Sequence, residues 1–356
     1  MTHTELEMHT TNIDSTNFDI AIAGGGIAGA WLLRLLHERG YRVALFESHS
    51  FGADQTLASQ GMIHGGLKYA LAGTLNRASE AIAEMPDRWR ACRAGSGEID
   101  LSGMKVTSEQ YYMFAEASTM GRLTGFFAAK ALRGRIERIS SKDWPAAFSG
   151  FDGVVYELND FVVDTTSLLT TLTQNLESQC WQQHLDSSCV AKTAAGWQIT
   201  TPEGPINADC LISCAGNGSA TLLTELEVEG FNIQQRPLKQ VSVRPLHNVE
   251  LWAHCLTGVK SNEPRLTITS HYDQGLVWYM GGKLATDGVN RSDEEQIAHA
   301  KAELAACVPW LDWRDAEYAV HWVDRAEPAQ SGGLKPDQAY AERQGNFVQC
   351  FPTKLA

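Results

Sequence analysis

The stretch 18–47 constrains this chain most, because it predicts a strand, a glycine turn, a helix and a second strand in immediate succession. Residues 19–23 form a short apolar run that is typical of a buried strand, and the glycines of 24–29 follow at once. Apolar side chains then recur at helical spacing after the turn. A second apolar run at 41–46 predicts the next strand, which an acid, Glu47, ends.

Each glycine of this turn has a role in binding a dinucleotide. Gly24 permits the tight turn, Gly26 lets the backbone approach a pyrophosphate at the helix start, and Gly29 lets the helix pack closely on the strand. Glu47 lies 21 residues after Gly26, where an acid accepts hydrogen bonds from the hydroxyls of an adenosine ribose. The acid favours an unphosphorylated ribose, so the sequence predicts FAD or NAD and not NADP. The alternative, a purely structural turn, leaves the acid at this spacing unexplained.

Length, charge and cysteines limit the class of protein. The 356 residues suit two intimate domains or one large interleaved domain. The net charge is -13 and the basic residues are scattered, which argues against nucleic acid or an anionic membrane surface as the main partner. The eight cysteines form no C-x-x-C pair and no metal spacing, so we expect reduced, mostly buried thiols in a cytoplasmic protein.

The N-terminus and the hydropathy predict neither export nor a membrane span. Residues 1–16 are polar and lack an apolar segment, which predicts a disordered leader and not a signal peptide. No apolar stretch reaches the roughly eighteen residues that a membrane-spanning helix needs.

A second pattern of small residues follows Glu47. Residues 58–66 read ASQGMIHGG and combine glycines with the apolar Met62 and Ile63. A solvated linker would not need the apolar residues, whereas a backbone that presses against a flat ring needs the glycines. The sequence therefore predicts a loop that contacts a ring.

The rest of the chain predicts short strands and a few helices. Strand-like runs between 235 and 282, separated by turns, predict an antiparallel sheet. Asp164 and Ser292 are the predicted N-caps of helices at 167–178 and 293–307. The other predictions are helices at 76–93 and 120–133, short strands between 99 and 114, a one-turn segment near Trp144, a strand at 154–163, hairpins at 188–214 and a last strand at 346–351.

These motifs together resemble the FAD-dependent oxidoreductases of the D-amino-acid-oxidase superfamily, from residue 18 to residue 353. The resemblance is greatest to the branch of FAD-dependent glycerol-3-phosphate dehydrogenases and 2-hydroxy-acid dehydrogenases. Residues 63–69, IHGGLKY, are the most specific part, since they are close to the I-H-G-G-L-R-Y of the glycerophosphate enzymes. The other carriers are the glycines of 24–29 with Glu47, the helix entry at 164–169, the strand at 208–216 and the pair Gly281 and Gly282.

The resemblance implies an α/β fold. In it, a Rossmann-like FAD-binding domain of the glutathione-reductase type is interleaved with a mixed, largely antiparallel β-sheet substrate domain. The implied FAD-binding domain comprises residues 17–95, 164–225 and 320–356, and the substrate domain comprises 96–163 and 226–319.

The resemblance also implies FAD as the cofactor. The amides of 24–29 would hold the pyrophosphate, Glu47 would hold the ribose, and residues 59–61 would line the ribityl chain and the isoalloxazine through their backbone. Val190 would meet the adenine by main-chain hydrogen bonds. The full predicted set is Gly24, Gly26, Ile27, Ala28, Gly29, Glu47, Ser48, Ser59, Gln60, Gly61, Val190, Ala215 and Gly216.

Four residues are candidates for catalysis: His64, Arg325, His271 and Lys354. His64 could be the base, a flavin contact or a covalent flavin link, and it could equally shape its own loop by bonding backbone. Arg325 could bind a substrate carboxylate or phosphate bidentately, or form a salt bridge to Asp324 or Glu327.

The roles of the remaining candidates depend on the direction in which their side chains point and on the structure of the C-terminus. His271 and Lys283 could point from a strand into the pocket, but with a period of two either could face solvent. In the family, a glycine-rich loop and a helix whose N-terminal end points at the flavin close the chain. Here residues 350–354 lack those glycines, so either the chain is a fragment or Lys354 supplies the positive charge.

The sequence thus predicts a cytoplasmic flavoenzyme that oxidises a small anionic secondary alcohol, such as glycerol 3-phosphate or a 2-hydroxy acid. Oxygen and a quinone both remain open as electron acceptor, and a quinone would imply peripheral docking at the inner membrane. The alternatives are an amine or amino-acid oxidase on the same fold and a flavin-binding protein without catalysis. An NAD-dependent dehydrogenase is disfavoured by the loop at 59–69.

Overall fold

The computed structural model describes residues 16–67, 82–117, 135–258, 263–330, 332, 336 and 339–351. Within these residues the chain forms two eight-stranded sheets and two small ones. No helix in these ranges is long and apolar enough to cross a membrane.

The first large sheet has the order β10-β11-β12-β1-β2-β9, and β21 pairs with both β12 and β20. Five strands run parallel to one another: β9, β2, β1, β12 and β21. Strands β10, β11 and β20 are added antiparallel. The strands are β1 (Asn17–Ala23), β2 (Val43–Glu47), β9 (Cys180–Gln182), β10 (Val190–Lys192), β11 (Trp197–Thr201), β12 (Gly204–Ser213), β20 (Tyr340–Gln344) and β21 (Phe347–Phe351).

Helix α1 (Ile27–Glu38) connects β1 to β2, as residues 18–47 predict. Ile22, Leu33 and Leu45 are fully buried in one cluster between this helix and the sheet. The strand–turn–helix–strand prediction is therefore confirmed. The carboxyl ends of β1, β2 and β12 meet at one edge of the sheet, which is where ligands bind in open parallel sheets.

The second large sheet is antiparallel apart from the pair β15 and β5, as the strand-like runs between 235 and 282 predict. Its order is β18-β14-β17-β16-β15-β5-β7-β6. The strands are β5 (Tyr111–Ala115), β6 (Ile136–Ile139), β7 (Val154–Leu158), β14 (Leu238–Arg244), β15 (Ala253–Cys255), β16 (Leu266–Tyr272), β17 (Leu276–Gly281) and β18 (Glu317–Val323).

Two smaller sheets lie beside the large ones in the strand pairing of the described residues. One has the order β3-β8-β4 and the other pairs β13 with β19. Their strands are β3 (Met62–Ile63), β4 (Val106–Ser108), β8 (Phe161–Val163), β13 (Ile233–Gln235) and β19 (Ala326–Pro328). The predicted strand at 154–163 is thus two strands, β7 and β8, because a short turn sends them into different sheets.

The helix caps follow the sequence closely. Ser292 and Glu295 form a reciprocal capping box at the start of the helix Asp293–Cys307, and Asp164 accepts a hydrogen bond from the amide of Ser167 at the start of Thr165–Thr173. The second helix ends before the predicted residue 178. The other helices are α2 (Met85–Arg93), α4 (Ser219–Glu225) and α5 (Lys283–Asp287), so that Thr165–Thr173 is α3 and Asp293–Cys307 is α6.

Three predicted segments lie wholly or partly outside the described residues. The helix predicted at 76–93 begins at Met85 in the described part, with residues 82–84 in a turn and Pro86 in its first turn. The helix predicted at 120–133 and the leader lie outside the described residues, apart from Thr16. The domain boundaries stay a prediction.

Candidate active site

A cleft of about 570 Å³ is lined by residues from both large sheets. The first sheet contributes the ends of β1, β2 and β12, and the second contributes β14, β16 and β17. Most of the residues predicted to bind the cofactor line this cleft, and they come from four separate parts of the chain. Those in the lining are Gly24, Gly26, Ile27, Ala28, Glu47, Ser48, Ser59, Gln60, Ala215 and Gly216.

The glycine turn leaves no room for side chains. Gly24 has φ +105°, and a Cβ built there would lie 2.5 Å from the carbonyl oxygen of Cys214. A Cβ on Gly29 would overlap the carbonyl oxygen of Gly24. Gly29 therefore packs against the glycine turn, and it does not line the cleft. The turn is therefore held tightly against β12, and backbone alone faces the cleft here.

The first turn of α1 opens into the cleft through Gly26, Ile27 and Ala28. The first N–H groups of a helix have no partner within it, and together they attract anions. The hydroxyl of Thr56 accepts a hydrogen bond of 2.9 Å from the amide of Ile27. Thr56 is a lining residue that sequence reasoning missed, because nothing in its neighbourhood along the chain distinguishes it from a loop threonine.

Glu47 is oriented by backbone at the end of β2. Its Oε2 accepts a hydrogen bond of 2.6 Å from the amide of Gly25, and its Oε1 accepts one of 2.9 Å from the amide of His49. These contacts join the acid to the glycine turn and hold it at the rim of the cleft, where it was predicted to meet a ribose.

Val190 does not line the cleft, and its contact with adenine stays a prediction. Its amide donates to the carbonyl of Asp186 at 2.9 Å, and β10 lies at the opposite edge of the sheet from β9. Residues 183–185, which follow β9 beside β2, line the cleft instead, and the amide of Gln183 donates to the carbonyl of Glu47. Strand order across the sheet decides which segment reaches the site.

Gly61 also lies outside the lining, and the fold gives a reason of its own for the missing side chain. A Cβ at Gly61, where φ is +63°, would overlap the carbonyl oxygen of Val163. The amide of Val163 in turn donates to the carbonyl of Gly61 at 2.8 Å. The glycine therefore accommodates the backbone of β8, while its neighbours Ser59 and Gln60 face the cleft.

The Gln60 side chain joins the loop at 58–66, the second glycine loop, to the second large sheet. Its Nε2 donates to the carbonyl oxygens of Thr267 and Tyr279, at 3.1 and 3.0 Å, and lies 3.3 Å from the Thr269 hydroxyl. A Cβ on Gly281 would lie 2.6 Å from the Gln60 Oε1. Because Gly281 has no side chain, the Gln60 carboxamide can occupy the space beside it.

Two of the four catalytic candidates line the cleft: His64 and Arg325. The His64 side chain is buried, at 4% exposure, and the next amide, of Gly65, donates to the buried Asp160 at 2.9 Å. The Nε of Arg325 donates to the carbonyl of Arg236 at 3.1 Å, which fixes the direction of the guanidinium. Glu327, one predicted partner of Arg325, pairs with Arg236 at 3.2 Å.

Two further candidates that the structure describes, His271 and Lys283, do not line the cleft. His271 lies outside the lining, with its Nε2 3.0 Å from the Thr269 hydroxyl, and burial lowers the pKa of its ring to about 4. Lys283 pairs with Asp287 at 2.6 Å in α5. Lys354 lies outside the described residues.

The substrate side of the cleft contains further residues that the sequence did not single out. Leu238, Gln240, Glu263 and Thr267 belong to the lining. Leu238, Gln240 and Thr267 come from strands whose register only the folded sheet reveals, and Glu263 precedes β16. No group of His, Cys, Asp and Glu in the described ranges could hold a metal ion. All eight cysteines are free thiols; four are buried and four half-buried.

The lining fits an adenine dinucleotide with a ring system at its far end. The glycine turn and the start of α1 suit a pyrophosphate, an oriented carboxylate suits a ribose, and the cleft continues to the face of the second sheet.

Comparisons with known proteins agree with this geometry. The family model described as DAO, FAD dependent oxidoreductase, matches residues 19–335. The probable FAD-dependent oxidoreductase PA4991 of Pseudomonas aeruginosa is 44% identical over 344 residues, 95% of this chain and 87% of the relative. Its crystal structure has a TM-score of 0.79 at 38% identity, covering 96% of this chain and 86% of that chain.

Two further similarities are weaker, one because the sequence identity is low and one because only a short segment matches. The crystal structure of glycine oxidase from Geobacillus kaustophilus has a TM-score of 0.66 at 17% identity, over 94% of this chain and 89% of that chain, which shows a shared fold. The aerobic glycerol-3-phosphate dehydrogenase of Staphylococcus epidermidis is 40% identical over 58 residues, 16% of this chain and 10% of the relative.

Proposed function

Because the chain belongs to the DAO family of FAD-dependent oxidoreductases, we propose that it oxidises a small anionic secondary alcohol of the 2-hydroxy-acid or glycerol-3-phosphate type. The observation that carries this proposal is that His64 and Arg325 line one cleft with the glycine turn. Oxidation of an anionic alcohol needs an anchor for the anion and a base for the hydroxyl proton. These two residues supply both.

The proposed FAD-holding residues follow from the lining. The glycine turn and the first turn of α1 would hold the pyrophosphate, Glu47 the ribose hydroxyls, and residues 183–185 the adenine. Ser59 and Gln60 would lie beside the isoalloxazine. When bound, FAD supplies the hydride acceptor for the carbon that is oxidised.

Arg325 would bind the carboxylate or phosphate of the substrate. Its Nε is occupied by the carbonyl of Arg236, so the guanidinium enters the cleft in a fixed direction. A planar guanidinium can pair with two oxygens of an anion, which orients the substrate as well as binding it.

His64 would take the hydroxyl proton on an imidazole nitrogen as the hydride leaves the neighbouring carbon. Its side chain is almost fully buried in the described structure, so water has little access to the proton it would receive. The ring lies in the lining beside Met62, on the loop that Gln60 fastens to the second sheet.

An amino acid is the alternative substrate, and one observation favours it. Glu263 lines the same cleft as Arg325, so the lining combines a carboxylate with a guanidinium. That pairing suits a substrate that carries both an amino group and a carboxylate.

The visible spectrum of the purified protein tests both candidates. Glycerol 3-phosphate, 2-hydroxy acids and amino acids are added one at a time under anaerobic conditions. We expect 2-hydroxy acids or glycerol 3-phosphate to bleach the flavin bands. Bleaching by amino acids alone would establish the alternative, and a flavin that no compound of the panel bleaches would refute the proposed reaction. Admitting oxygen or a soluble quinone to the reduced sample then identifies the electron acceptor.

A further inference from the structure

We infer that Glu327 makes the cleft select a singly charged carboxylate over a doubly charged phosphate, because it neutralises Arg236, the arginine beside Arg325. This inference rests on the proposed function and narrows its substrate to the 2-hydroxy-acid type. Arg325 binds the substrate anion, and Glu327 keeps the second arginine from adding its charge to the site.

The ribbon of β13 and β19 brings two arginines together. Gln234 pairs with Glu327 in this ribbon, so the register puts Arg236, two residues further on, opposite Arg325. The amide of Arg236 donates to the carbonyl of Arg325 at 2.9 Å, and the Nε of Arg325 donates to the carbonyl of Arg236 at 3.1 Å. Side chains of directly opposite residues share a face, with Cβ atoms roughly 5 Å apart. The two guanidinium groups therefore begin from neighbouring positions on one face of the ribbon.

Glu327 adds a carboxylate to the same face. Its side chain is 5% exposed, and its Oε1 accepts a hydrogen bond of 3.0 Å from the Nε2 of Gln234. The Nη1 of Arg236 lies 3.2 Å from the same oxygen, diagonally across the ribbon. Like charges at opposite positions repel each other, and a buried carboxylate needs a cation beside it. Two arginines and one glutamate therefore leave this face with a net charge of +1.

The structure gives the two arginines different positions. Arg325 belongs to the lining of the cleft, whereas Arg236 does not. The Arg236 side chain is 22% exposed, and its Nη1 is buried. In the described part of the chain, Arg325 is the one lysine or arginine of the lining. An anion in the cleft therefore meets one guanidinium, while Glu327 balances the charge of the other.

The number of charges on the anion decides how well it fits this arrangement. Removing a charge from water is costly unless an opposite charge lies beside it. A carboxylate carries one negative charge, which the pairing with Arg325 compensates. A phosphate monoester carries about two negative charges at neutral pH, so that one of them stays uncompensated in the cleft. The site therefore suits the carboxylate.

Two anions of similar shape test the inference in the FAD-loaded full chain. Ethanesulfonate carries one charge, ethylphosphonate carries two at a pH above its second pKa, and neither has a hydroxyl to be oxidised. Their Kd values are measured at fixed ionic strength from the perturbation of the flavin spectrum and by calorimetry. We expect the wild type to bind the sulfonate more tightly. In Glu327→Gln the ratio of the two Kd values should shift toward the phosphonate by about tenfold, because Arg236 then adds its charge. A wild type that prefers the phosphonate would contradict the inference.

Variants of Arg236 separate the effect of charge from that of structure, since removing one partner of a buried ion pair also lowers stability. The double variant Glu327→Gln/Arg236→Met removes one charge of each sign and should restore the wild-type ratio. A double variant that keeps the ratio of Glu327→Gln would show a structural effect, and the inference would fail. Arg236→Met alone leaves the carboxylate of Glu327 beside Arg325, so it should weaken the binding of both anions. Unchanged binding in that variant would also contradict the inference.

Glu98→Gln is the matched control for the net charge of the protein. Glu98 pairs with Arg88, and neither residue lines the cleft. The variant changes the charge of the chain by the same unit as Glu327→Gln, and it should keep the wild-type ratio. An equal shift in both variants would mean that the overall field of the protein, and not Glu327, sets the ratio.

The outcomes distinguish this inference from the proposed function. If 2-hydroxy acids bleach the flavin but Glu327→Gln binds the two anions in the wild-type ratio, the inference fails and the proposed function stands. If glycerol 3-phosphate bleaches the flavin and 2-hydroxy acids do not, the inference fails as well. If no compound of the substrate panel bleaches the flavin and neither anion binds the wild type, both fail.

Discussion

Gly29 determines how closely α1 approaches β1. A Cβ at this position would overlap the carbonyl oxygen of Gly24 and lie 3.3 Å from the Ile22 side chain. The helix start and the glycine turn therefore keep their relative position only while residue 29 has no side chain.

Gly29→Ala should separate the helix start from the turn and lower FAD content. Overpacking of this kind costs about 2 kcal/mol of unfolding free energy. The measurements are the flavin-to-protein absorbance ratio and urea unfolding. Gly103→Ala is the matched control, because Gly103 lies outside the lining and the added Cβ would come no closer than 3.3 Å to the Thr171 hydroxyl. Equal flavin content in both variants would contradict the prediction.

Arg325→Met should raise the KM for the anionic substrate about 10- to 100-fold, because a charge-assisted hydrogen-bonded pair is lost. Arg325→Lys should recover part of that loss, since it restores the charge without the bidentate geometry. Steady-state kinetics measure both. Arg244→Met serves as control: Arg244 forms an exposed ion pair with Asp273, and its loss should leave the KM unchanged. If Arg325→Met kept the KM of the wild type, Arg325 would not be the residue that binds the substrate anion.

At the scale of single elements, β16 presents polar side chains on the face that it turns toward the cleft. Thr267, Thr269 and His271 alternate along this face, and the first of them lines the cleft. The His271 ring packs against Tyr279 of the neighbouring strand with centroids 5.4 Å apart. Burial favours the neutral ring and lowers its pKa from 6.5 to about 4.

This histidine should make the protein less stable in mild acid. Below pH 6.5 the unfolded chain takes up a proton at this ring, and the folded chain does so only near pH 4. The contribution is therefore fully present above pH 6.5, and it falls by about 2 kcal/mol by pH 5. His271→Gln should flatten the decline in unfolding free energy between pH 7 and pH 5. A variant whose stability falls as steeply as that of the wild type would contradict the assignment.

At the scale of the whole molecule, the cleft joins the two large sheets. Its lining combines the ends of β1, β2 and β12 with residues of β14, β16 and β17. Gln60 links the second glycine loop to β16 and β17 by direct hydrogen bonds. A bound dinucleotide with a ring system would add contacts to both sheets at once.

FAD should therefore stabilise the whole chain. A ligand that binds only the folded state raises the unfolding free energy by about 2.7 kcal/mol at a hundredfold excess over its Kd. Thermal unfolding of flavin-free protein at increasing FAD concentration measures this effect as a rising Tm. NAD is the control ligand, since it shares the adenosine and the pyrophosphate but lacks the flavin. A shift as large with NAD as with FAD would mean that the second sheet contributes nothing to binding.

Local patterns in the chain were sufficient for much of this architecture. The strand, glycine turn, helix and strand of 18–47, the capping box at Ser292 and the cap at Asp164 were all predictable. They depend on contacts within a few residues, on spacing and on glycine geometry. The α/β class and the antiparallel second sheet followed from the same periodicities and from family resemblance.

Residues brought together across the sheets were not predictable in this way. Val190 was predicted to meet the adenine, but residues 183–185 line the cleft and Val190 does not. The sequence left open whether His271 faces the pocket or solvent, and the folded strand places it outside the lining. Thr56 at the helix start and Gln240 in the cleft wall carry no local signal. Their positions depend on register and strand order, which arise from contacts between residues far apart in the chain, and a single sequence leaves those contacts open.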